Sequence, residues 1–81
     1  MSTVKVQVKV TFPESMVRVP LLARMVRHFD VDPSIRRANV EDDGGWIVCE
    51  LEGEAAAVDE SLQWLRQEGV GVDLLGDILE G

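Results

Sequence analysis

Val4-Lys-Val-Gln-Val-Lys-Val-Thr-Phe12 alternates apolar and polar residues without a break. Val4, Val6, Val8, Val10 and Phe12 point one way; Lys5, Gln7, Lys9 and Thr11 point the other. A period of two in β-branched residues predicts a strand with one buried face. The polar set predicts that the second face of the sheet has no helices over it. Pro13-Glu14-Ser15 breaks the strand. Pro20 then suits the first turn of a helix, where its missing N–H costs nothing. Leu21, Leu22, Met25, Val26 and Phe29 recur at helical spacing on one face. Arg24, Arg27 and His28 lie off that stripe. Val19 is a poor N-cap, so this helix is expected to rely on packing. Asp30 to Pro33 ends it, because the residue before a proline disfavours helical angles.

Asp32-Pro33-Ser34-Ile35-Arg36 reads as a turn, and a second strand follows from about Ser34 to Glu41. Ala38 and Val40 are expected inward, with Arg36 at the edge of the core. Asp42-Asp-Gly-Gly45 reads as a hairpin turn. The third strand, Trp46 to Glu52, turns Ile47, Cys49 and Leu51 to the core and Trp46, Val48 and Glu50 to the open side. Ala55, Val58, Leu62 and Leu65 mark a second amphipathic helix that stops at Gly69. Val70 to Leu75 forms a last strand with Val72 and Leu74 inward, and the tail from Gly76 is expected to fray.

The order strand, helix, strand, strand, helix, strand is the split β-α-β pattern of an α+β, ferredoxin-like β-α-β-β-α-β sandwich. A four-stranded antiparallel sheet in the order 4-1-3-2 carries both helices on one face. That order sets Lys5 and Lys9 on the central first strand, between Glu50 and Asp73. One domain is expected over residues 1–81, with its core at about 4–76.

Net charge is −7. A chain this acidic lacks the basic surface that nucleic acid and anionic membranes demand. No long apolar run predicts membrane insertion, no signal-peptide pattern opens the chain, and the cytoplasm is the expected compartment. Cys49 is the only cysteine. Alone it holds neither zinc nor an iron–sulfur cluster, so no cofactor and no metal are expected. His28, the only histidine, has no identifiable partner for general-base work, and no catalytic set is visible. Arg18, Arg24, Arg27, Arg36 and Arg37 are five of the eight basic residues. They read either as a solvated face or as an anion site near the helix start and second strand. Trp64 lies nearly opposite Leu62 and Leu65 on a helical wheel. It marks an interface or folds over its own helix, and Trp46 on the open face has similar standing.

Val19-Pro-Leu-Leu22, His28-Phe-Asp-Val31 and Ser34-Ile-Arg36, taken with Gly44-Gly45, Glu50-Leu-Glu-Gly53, Ser61-Leu-Gln-Trp-Leu65 and Gly69 to Gly76, resemble the NIL domain. That family is named for an Asn-Ile-Leu signature at the start of its second strand. It occurs at the C-terminus of the ATPase subunit of bacterial methionine importers, as paired ferredoxin-like domains that bind methionine and inhibit transport. Other members are fused to ferredoxins. The resemblance implies a regulatory, ligand-sensing domain, a sulfur amino acid such as methionine as ligand, and a homodimer. The ligand is expected at Ser34, Ile35 and Arg36 with Pro20 and Leu21, and the interface, from the positions of the two tryptophans alone, at Trp64 and Trp46. The alternative is a ligand-free module that docks on a transporter, a sulfur-metabolism enzyme or a ferredoxin partner. Ser34 replaces the amide of the signature by a hydroxyl, which predicts weaker methionine binding. Arg36 replaces its leucine by a cation suited to a carboxylate.

Overall fold

A computed structural model describes residues 2–79. Its elements are strand β1 (Thr3–Pro13), a 3-10 turn (Glu14–Met16), helix α1 (Leu21–His28), strands β2 (Val31–Glu41) and β3 (Gly44–Glu54), helix α2 (Ala55–Gln67) and strand β4 (Gly71–Leu79). All strand pairs are antiparallel and the order is β2-β3-β1-β4, the expected ferredoxin-like sheet. Val6, Val8 and Val10 of β1 and Ile47, Cys49 and Leu51 of β3 form one apolar surface. Leu21 and Met25 of α1 and Val58, Leu62 and Leu65 of α2 cover it. Both helices therefore lie on one face, as the single apolar phase of β1 requires. Ser61 is buried inside α2, and its hydroxyl donates to the Val58 carbonyl at 2.8 Å. Gly69, at φ +99°, takes the left-handed turn that closes α2.

Several expectations shift. Asp32 to Arg36 is strand, not turn, because β2 begins at Val31 and pairs Pro33 with Leu51. Proline is tolerated there because β2 is an edge strand. The hairpin turn is Asp42-Asp43, with Gly44 already paired to Glu41. Residues 76–79 continue β4 rather than fraying, pairing with Val4 to Gln7. Val26 is exposed, since the fully buried line of α1 is Leu21 and Met25, with Leu22 and Phe29 packed at its margin. Ala38 and Val40 both stand in the inward phase, Ala38 opposite the core residue Ile47, yet both are exposed, Val40 at 56%, because β2 is the edge strand. Leu74 opposes Val8 in the inward phase and is still half-exposed at the β4 edge.

Two β-bulges explain the remaining differences. One falls between Ile35 and Arg37, so Ile35 opposes the core residue Cys49 while Arg37 opposes Val48. The extra residue, Arg36, turns to the open face and pairs with Glu50 instead of lying at the core edge. Glu50 stands opposite Gln7, and Lys5 opposite Glu52; only Lys9 keeps its expected neighbour, Asp73. The second bulge falls in β4 between Leu74 and Gly76 and leaves Leu75 as the extra residue.

Cys49 is 1% exposed, and burial pushes its thiol up to about 11. Thiolate is the reactive form, so the folded chain should resist an aqueous thiol reagent at pH 8 and react fully only in denaturant. The unfolded thiol titrates near 9.0, below the folded one. Its contribution to stability is therefore complete below pH 9 and is lost as pH rises toward 11. Rapid labelling of the folded chain at pH 8 contradicts this burial.

Candidate functional site

An apolar cleft of about 210 Å³ opens where the chain enters α1. Phe12 at the end of β1, Val17 and Val19 in the loop, Leu22 of α1, Val40 of β2 and Ile47 of β3 line it. The loop exists because Pro13 ends the β1 alternation and Pro20 restarts the chain as the N-cap of α1. Val17 and Val19 thus have no strand or helix face to join, and they pack beside the cleft instead. Pro20, Leu21 and Ala23 complete its helix side.

The start of α1 borders the cleft. No side chain caps this helix. The Leu21 N–H donates to the Val19 carbonyl at 2.8 Å and the Arg24 N–H to the Pro20 carbonyl at 3.1 Å. Between them, the N–H groups of Leu22 and Ala23 meet no acceptor among the described hydrogen bonds. An uncapped first turn presents N–H donors and the positive end of the helix dipole to an anion. Apolar walls beside such donors suit a carboxylate that carries an apolar side chain.

The five residues expected at a ligand fall into three places. Pro20 and Leu21 line the cleft. Ser34 is exposed on β2, opposite Glu50 and so on the open face. Ile35 is 56% exposed on the helix side of the same edge strand, and Arg36 is on the open face beside Glu50. Six residues of strand, roughly 20 Å, separate Ser34 from Val40 at the cleft. One copy of the chain therefore does not bring Ser34 to Pro20. Sequence reasoning missed Phe12, Val17, Val40 and Ile47 as cleft residues. The signal was present in Val17 and Val19, two apolar loop residues that neither periodicity claims.

Trp64 is half-buried and packs against α1, with ring centroids 5.8 Å from His28 and 6.0 Å from Phe29. It ties the two helices together, which corrects its reading as an aromatic pointing off the core. Trp46 is half-buried on the open face, with the Lys9 ammonium 5.2 Å from its ring centroid. The arginine strip divides: Arg18, Arg24 and Arg27 are exposed on the α1 side, and Arg36 and Arg37 are on the open face. Among the described residues no cluster of His, Cys, Asp and Glu could hold a metal ion, and no helix is long and apolar enough to cross a membrane.

The model of the NIL domain matches residues 6–73. The chain belongs to the NIL domain family. This NIL domain is 30% identical over 69 residues to the methionine import ATP-binding protein MetN of Helicobacter hepaticus, covering 80% of this chain and 20% of that protein. It is 32% identical over 73 residues to MetN of Histophilus somni, covering 85% and 21%. The chain thus spans about a fifth of the length of these curated relatives. The C-terminal domain of an ABC transporter ATP-binding protein from Enterococcus faecalis superposes with a TM-score of 0.77 at 21% identity, covering 88% of this chain and 83% of that one. That likeness establishes the shared fold.

Proposed function

We propose that this NIL domain is a regulatory, ligand-sensing domain that binds a sulfur amino acid of the methionine class and acts as a homodimer. The observation that carries the reading is the cleft, where apolar walls meet the uncapped start of α1. The thioether side chain lies against Phe12, Val17 and Val40, and the carboxylate takes the N–H groups of Leu22 and Ala23. Family membership and the methionine-import relatives support the ligand class. Ser34, Ile35 and Arg36 join such a site only from a second copy, since their own strand holds them away from the cleft. A ligand-free docking module is the second reading, favoured by the match to a fifth of a much larger ATP-binding protein.

Thermal denaturation with methionine separates the two. A ligand that binds only the folded state adds about 2.7 kcal/mol at a hundredfold excess over Kd. For a chain of this size that is a rise of about 10 °C or more in Tm. Val40 is exposed at the cleft rim, so Val40→Asp should leave the unliganded Tm within a few degrees and abolish the rise. Ser34→Asn restores the signature amide and should strengthen binding of methionine. Absence of a rise with methionine, homocysteine and S-adenosylmethionine in both wild type and Ser34→Asn leaves the docking module as the function.

A further inference from the structure

We infer that the groove between α1 and the edge strand β2, on the helix side of the sheet, docks an acidic amphipathic helix of another protein. The inference rests on this surface alone and does not depend on methionine binding in the neighbouring cleft.

The inner side of β2 is apolar along its whole length. Val31, Pro33, Ile35, Ala38 and Val40 stand opposite Gly53, Leu51, Cys49, Ile47 and Gly45 of β3, in the phase that faces the helices. A strand face of this composition belongs under a covering layer. Only its first part has one: Val31 is buried and Pro33 half-buried, whereas Ile35, Ala38 and Val40 are exposed. The eight residues of α1 reach about 12 Å, against about 36 Å for the eleven residues of β2.

α1 presents a matching flank. Leu22 lines the cleft together with Val40. Val26 follows Leu22 by one turn, so it stands on the same flank of the helix and looks along β2. It is 46% exposed, and Val26, Ile35 and Val40 are three of the five large apolar side chains exposed among the described residues. An amphipathic helix set beside α1 would lay the apolar side chains of successive turns over Val26, Ile35 and Ala38, and so add a third helix to the layer.

Charge selects the occupant. The chain carries fifteen acidic residues, yet none falls between Glu14 and Asp30. That run holds Arg18, Arg24 and Arg27, all exposed, and α1 itself has no acidic residue to neutralise them. The inner side of β2 adds no charge of either sign. An acidic helix therefore meets cations at the rim and apolar contact at the centre. A second copy placed here about a two-fold axis would set arginine against arginine. Nucleic acid would bring phosphates to an apolar centre on a chain of net charge −7.

Selection from a phage-displayed library of random peptides, about 16 residues or four helical turns long, tests the inference. Wild type should enrich peptides with apolar residues at helical spacing and Asp or Glu between them. Synthesised with a fluorescent label and followed by anisotropy, these should bind Arg27→Glu and Val26→Glu at least about fivefold more weakly than wild type. Arg66→Glu, on the exposed side of α2, makes the same change in net charge as Arg27→Glu and should bind within about twofold of wild type. Circular dichroism melts show whether each variant folds. Should Val26→Glu fail to fold, Val26→Ala reads the same contact through a smaller loss. Enrichment of basic or uncharged peptides, binders indifferent to Arg27→Glu, or no enrichment at all overturns the inference. So does tighter binding of single-stranded DNA of about a dozen nucleotides than of any selected peptide. Self-association of wild type that Val26→Glu abolishes would assign the groove to a second copy and overturn it as well. Methionine binding is read separately by thermal shift and is decided by none of these results.

Discussion

Met25→Ala should lower Tm by about 10–25 °C, while Val26→Ala should leave it almost unchanged. The two residues are neighbours on α1 and share the apolar stripe of the sequence. Met25 is fully buried against the sheet; Val26 is 46% exposed. Truncating a buried methionine costs about 2–5 kcal/mol, because the site loses both transfer energy and packing. A chain of this size has roughly 4–12 kcal/mol to lose. Each kcal/mol moves Tm by about 4–8 °C in small domains. An exposed Val→Ala change in a helix stays within about 0.5 kcal/mol. Equal losses at both positions mean that α1 is rotated on the sheet, which also displaces the cleft at its start.

Gly53→Ala should cost about 1–3 kcal/mol, although alanine fits the backbone conformation there. A methyl group at Gly53 would stand 2.8 Å from the Asp30 carbonyl oxygen and 3.3 Å from Val31 Cγ1. The carbonyl belongs to backbone entering β2 and has no free end to move, so the strain falls on the first β2–β3 pair, Val31 with Gly53. Gly76→Ala in β4 is the control, since its new methyl meets nothing within 4 Å. Chemical denaturation of the two variants checks the contrast, and hydrogen exchange should show early opening at Val31 only in the first. Equal stability of the two would mean that β2 does not approach β3 as closely as the register requires.

Much of this architecture was legible in the chain. The unbroken alternation of Val4 to Phe12 specifies one buried face, and a single buried face places both helices together. The resemblance to the NIL domain was legible too, and the family model matches residues 6–73. The bulges were not legible, because one extra residue in an edge strand leaves no mark on composition and inverts every side chain beyond it. That is why Arg36 was expected at the core edge and stands instead beside Glu50. The burial of Val26 was misread because a helix of eight residues meets the sheet along a line narrower than its apolar stripe. Trp64 was ambiguous on the wheel because the neighbour that covers it, the end of α1, comes from another part of the chain. The cleft was hidden for a related reason: its walls come from β1, the loop, α1, β2 and β3, and only the fold collects them.

The central claim is that the start of α1 and its apolar cleft form the sensing site, and an amide NMR titration with methionine tests it most directly. The account predicts saturable shifts for the amides of Leu22 and Ala23, with smaller ones at Val17, Val19 and Val40. Shifts confined to Ser34–Arg36, or no saturable shift at any amide, would contradict it.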